Sequence, residues 1–141
     1  MATTLEELTA ALKVRLATID RLRAYAVEPA TPSPPAAWPF LRQPAATYST
    51  DFDGGMTWFF SIYVVVGAAS DQHAQNNLMP YLAPTGPKSV KATLEDGPLT
   101  DPAGDRVADW VVVRGIESVG SYEIGGARLI GAVLICEVST G

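Results

Sequence analysis

The stretch from Ala127 to Val138 constrains this chain most. Extended, it puts Leu129, Val133 and Ile135 on one face and Ile130, Leu134 and Cys136 on the other. A strand apolar on both faces has to be covered on both. A second run, Thr57 to Gly67, predicts a strand that turns Trp58, Phe60, Ile62, Val64 and Val66 toward a core. Its other face carries Thr57, Phe59, Ser61, Tyr63 and Val65, a mixture of aromatic and hydroxyl groups that suits a contact surface. The remaining sequence offers only a few short helices, enough to shield one side of such a sheet. The opposite side is therefore expected to meet another subunit.

The helices announce themselves locally. Thr4 and Glu7 have the spacing of a capping box, and Leu5, Leu8, Leu12, Leu16 and Ile19 follow at helical intervals, so a helix is expected from about Leu5 to about Thr18. Pro29, Pro32, Pro34, Pro35, Pro39 and Pro44 confine the next segment to an extended connection, with Ala36 to Leu41 as an edge strand. Gln43 to Met56 is polar and turn-rich and reads as a projecting loop or hairpin tip. Ser70 or Asp71 would cap a second helix running to about Leu82, with Ala74, Leu78, Tyr81 and Leu82 as its buried stripe. Pro87 suits the first turn of a third, Lys88 to Glu95, and residues 96–105 are expected as a surface loop. Trp110 to Arg114 and Ser121 to Ile124 are expected strands, and Gly125-Gly126 a two-residue hairpin turn whose positions both need positive φ.

These pieces amount to a single domain over residues 1–141: an N-terminal helix region (1–24), a projecting tip (43–56) and a strand–helix–helix–strand core (57–138). The expected class is α/β in the α+β sense. It has a mixed or antiparallel sheet of about four to six strands, with the N-terminal helix and two short helices on one face.

Nothing in the residues reads as a reactive site, so catalytic, cofactor and metal residues are all expected to be none. His73 is the single histidine and opens a polar helix start. Ser121 has Val119 and Glu123 where a nucleophile elbow needs glycines. Gly54-Gly55 and Gly125-Gly126 precede strands, not the helix a phosphate loop requires. Asp51 and Asp53 beside a Gly-Gly pair read as turn formers first, and as a carboxylate pair second. Cys136 reads as a buried thiol. A net charge of −5 argues against tight phosphate binding. Residues 1–43 carry five bases against four acids, and the rest five bases against eleven acids, a split that would orient head-to-tail contacts. No apolar run is long enough to span a membrane. The start, with Glu6 and Glu7, lacks a signal-peptide layout, so synthesis in the cytoplasm is expected.

Four segments, taken in order, carry a resemblance: LKVRLATIDRLRAYA, SPPAAWPF, TWFFSIYVVVGAASDQHAQNNLMPYLAPTGPKSVKATLED and DWVVVRGIESVGSYEIGGARLIGAVLICEV. Together they resemble the tail-terminator proteins of long-tailed (siphovirus) bacteriophages of actinobacterial hosts, from about Leu8 to Val138. The resemblance implies a lambda tail-terminator-like fold and a structural virion protein of the tail–neck region, assembled in the host cytoplasm. Its copies would form a hexameric ring on the last layer of major tail tube protein, end tube growth and receive the head–tail stopper or connector. DNA would pass through the ring without specific binding. The residues expected at contacts are Tyr48, Asp51, Asp53, Met56, Phe59, Tyr63, Arg128 and Ile130, with the tip around Asp51 and Asp53 axial or facing an acidic lumen. Three alternatives stand beside this reading. They are a stopper or connector of the same neck, a small enzyme or carbohydrate-binding domain built on Asp51, Asp53, Tyr48, Trp58 and Tyr63, and a dimeric binding module.

Overall fold

The computed structural model describes residues 4–48, 55–68 and 73–140. In chain order the elements are α1 (Leu5–Leu16), β1 (Arg23–Ala24), β2 (Ala36–Tyr48), β3 (Met56–Ala68), α2 (Ala74–Leu82), α3 (Val90–Leu94), β4 (Leu99–Thr100), β5 (Arg106–Ala108), β6 (Trp110–Ile124) and β7 (Ala127–Thr140). Five strands form one sheet in the order β1-β2-β3-β7-β6, while β4 and β5 pair separately. Only β1 runs parallel to its neighbour in the large sheet, so the sheet is mixed, within an α+β fold.

Helix α1 starts where the capping spacing predicts, with Thr4 Oγ1 accepting from the Glu7 N–H at 3.2 Å. Leu8, Ala11, Leu12 and Leu16 give it one buried face. That face shares one buried cluster with Phe60, Ile62 and Val64 of β3 and Leu134 and Cys136 of β7, all wholly or nearly wholly buried. Arg15, on another side of α1, donates to the carbonyls of Thr93, Asp96 and Pro98, which ties the helix to the α3–β4 connection. The core face of β3 thus matches the alternation in the sequence. At the β6–β7 hairpin Gly125 and Gly126 take φ of 60° and 81°, as the two-residue turn demands.

Several elements depart from the expected ones. Helix α3 begins at Val90, because Ser89 caps it: its Oγ accepts from the Ala92 N–H and donates to the Ala83 carbonyl. Pro87 therefore precedes the helix. The expected surface loop 96–105 contains a short strand with a fully buried Leu99, paired across to Ala108. Strand β6 is continuous, because register shifts after Val113 and after Ile116 absorb the polar and glycine-containing middle as bulges. Strand β2 runs on past Leu41 to Tyr48, and residues 42–45 stand opposite Phe59 alone, so the extra length becomes a bulge that holds Pro44. Among the described residues no strand pairs with the outer side of β2 beyond Ala37, which is why Pro39 and Pro44 are tolerated there. Ser70 and Asp71, the expected caps of α2, lie outside the described residues.

The largest correction concerns the sheet's far face, opposite the helices. It was expected to need a neighbouring subunit over β7, yet Leu129 and Val133 are only 5% and 6% exposed in a single chain. Ala36, Trp38, Val65 and Leu129 form a second buried cluster there, flanked by Tyr25, Tyr63 and Ile124. The chain supplies this cover itself, because the sheet curls.

Candidate functional site

The curl is visible in contacts that a flat sheet forbids. Arg42 on β2 pairs with Glu117 on β6 at 2.7 Å, although two strands lie between them. At roughly 4.8 Å per strand a flat sheet would hold those backbones on the order of 14 Å apart. The same guanidinium donates to Ser61 Oγ on β3. A row of rings runs beside this bridge: Trp38 stacks on Tyr63 at 5.7 Å, and Phe40 and Tyr122 each meet Tyr63 edge-on, at 6.2 and 6.0 Å. An Arg114–Glu137 ion pair lies between β6 and β7. Where β6 meets α3, Glu95 accepts from the Val113 N–H at 2.8 Å and from Lys91 Nζ at 2.7 Å.

Glu95 carries a pH dependence. Burial opposes its charge, but the Lys91 hydrogen bond, the Val113 N–H and the Lys91 and Arg114 charges outweigh that and hold the carboxyl below its ordinary value. A carboxyl with a lowered folded-state pKa adds stability above its unfolded value, and that stability is lost as pH falls through the folded value. Glu95→Gln is therefore expected to flatten the acid side of the stability profile, measured by urea unfolding between about pH 7 and pH 3. An unchanged acid limb would refute the assignment.

The residues expected at contacts do not gather in one place. Tyr48 is 80% exposed at the end of β2, with Met56 opposite it. Arg128 is exposed at the other end of the sheet, across from Glu123 beside the glycine turn. Phe59 is half-buried on the far face opposite Glu137. Two more are half-buried within the chain's own packing. Tyr63 is held in the chain's own ring row, and Ile130 packs against the main core on the helix side. Asp51 and Asp53 lie outside the described residues. Trp58 packs toward the core while Tyr63 points to the far face, so the aromatics of the carbohydrate-binding alternative share no platform.

Of the described residues, five large apolar side chains of the sheet remain uncovered, and of these only Tyr48 was among the residues expected at contacts. Phe40 (53% exposed) and Tyr48 stand on β2, and Trp110, Ile116 (48%) and Val119 (55%) on β6. Their sequence neighbours are partly apolar and partly polar, which does not by itself separate surface from core. His73 is exposed. The Cys136 thiol is wholly buried, and burial, then Glu137 and Glu95, push its pKa upward, away from reactivity. Among the described residues no group of three His, Cys, Asp or Glu side chains is placed to hold a metal ion. Among the described residues no helix is long and apolar enough to cross a membrane.

No protein-family model matches the chain, and no curated protein is significantly similar to it.

Proposed function

We propose that this chain is a tail terminator, a structural virion protein that acts without catalysis as a ring of identical copies. One observation carries the reading: large apolar side chains stay uncovered on two separate strands of the sheet, Phe40 and Tyr48 on β2 and Trp110, Ile116 and Val119 on β6. A ring that closes by rotation needs two different patches per copy, one on each side. Two uncovered strands of different composition offer two unlike patches, as ring closure requires.

The long axis of the sheet supports the capping role. Thirteen residues of β3 extend on the order of 40 Å. Tyr48 and Met56 mark one end, and Arg128 and the glycine turn mark the other. A terminator has to bind the major tail tube protein with one end and offer the head–tail stopper or connector another that does not extend the tube. Two chemically unlike ends meet that requirement. The ring, a hexamer in this reading, would sit in the virion's tail–neck region and let DNA pass without specific contacts, its net charge of −5 disfavouring phosphate adhesion.

The test mixes the protein with purified tail-tube protein. Capped tube ends and halted elongation in electron micrographs are expected. A protein that leaves tube ends bare, and joins the neck only after another has capped it, is a stopper instead. Ile116→Asp is expected to shift folding free energy by less than about 0.5 kcal/mol, as at an ordinary surface site, and to abolish rings on tube ends. Rings that persist in this variant would remove β6 from the interface.

A further inference from the structure

A cavity of about 280 Å³ opens between the end of the α1 region and α2, lined in part by Arg21, Asn76, Asn77, Tyr81 and Lys88. That is near the lower limit of about 300 Å³ for small-molecule sites, so the space suits a compact group. Two of the ten Lys and Arg residues converge here, in a chain of net charge −5. Neither belongs to an ion pair among the described residues, where Arg42, Lys91, Arg106 and Arg114 supply the cations. Lys88 Nζ lies 5.8 Å above the Tyr81 ring, a contact that holds the ammonium at the cavity and leaves its N–H donors uncommitted.

Arg21 adds an independent sign. Its φ is 65°, the one positive value at a non-glycine position among the described residues. An L side chain there costs about 1 kcal/mol that glycine would avoid. Strain of this kind persists where the side chain's position matters. Tyr81 is 4% exposed, and its phenol stays protonated because burial, then the nearby Asp20 charge, push its pKa upward.

We infer that this cavity is an oxyanion site that takes a phosphate or a carboxylate group, with Arg21 and Lys88 supplying charge and Asn76 and Asn77 supplying amide donors. It is separate from the β2 and β6 residues assigned to ring closure, so each assignment can fail without the other.

The test titrates the full chain with inorganic phosphate, and in parallel with glutarate, at constant ionic strength, following backbone amide resonances. Saturable shifts at Asn76, Asn77 and Lys88 are expected. A stronger response to phosphate identifies a phosphoryl ligand, and a stronger response to glutarate identifies an acidic side chain. Arg21→Gly is expected to weaken binding by about tenfold, the loss of one charge-assisted contact, while thermal stability holds or rises because the left-handed strain is relieved. That split separates a ligand-binding arginine from a merely structural one. Lys88→Met, at an exposed position, is expected to weaken binding comparably. Shifts that grow without saturating, or that saturate equally in Arg21→Gly, overturn the site.

Discussion

Gly131→Ala is expected to destabilise the fold by about 3 kcal/mol and to lower its melting temperature by about 10 °C. Gly131 sits in β7 between Val65 of β3 and Gly120 of β6, next to the register shift that separates Val65 from Gly67. A methyl group there would stand 2.4 Å from the Val64 carbonyl oxygen and 2.8 Å from Val65 Cγ1. The nearest atom is backbone of a central strand, so relief requires moving a ladder already bonded on both sides. Strand propensity alone forecasts the opposite sign, since replacing glycine within a strand ordinarily gains about 0.5–1 kcal/mol. Gly120, its cross-strand partner, is the control: a methyl group there meets nothing within 4 Å, so Gly120→Ala is expected to be neutral or mildly stabilising. Urea unfolding of both variants checks the pair. Equal midpoints would mean that β3 and β7 do not approach as closely as described.

Trp38→Ala is expected to cost about 4 kcal/mol, typical for removing a fully buried large aromatic. Trp38 is 1% exposed, stacked on Tyr63, and packed with Ala36, Val65 and Leu129. The loss would be a large fraction of a total stability of about 5–15 kcal/mol. It bears directly on the far face. Because the chain covers that face with its own rings, the cost appears in dilute monomer, with increased binding of an apolar dye to the opened sheet. A loss under about 1 kcal/mol would mean that Trp38 is not core, and would return the far face to a role between subunits.

Helix α1, the core face of β3 and the Gly125-Gly126 turn depend on neighbours within a few positions: the Thr4–Glu7 cap, an alternation of period two, and two glycines that alone accept positive φ easily. The sequence reads β6 as two strands because its middle, Gly115 to Gly120, lacks alternation, and bulges carry the ladder through regardless. The interface residues were the least legible. Tyr63 and Ile130 look equally apolar in sequence whether they face a neighbour or their own core, and only position in the curled sheet separates those fates. Ile116 and Val119 show the converse, remaining uncovered in a strand whose Val111 and Val113 are buried.

What the amino-acid sequence determined by itself was helix α1, the core face of β3 and the glycine turn, since periodicity and turn chemistry act over a handful of residues. Only the tertiary structure decided which greasy side goes uncovered. The curl that hides the far face is held by pairs such as Arg42 with Glu117, 75 residues apart in the chain, and no local pattern encodes a contact that exists only after three intervening strand pairings have formed.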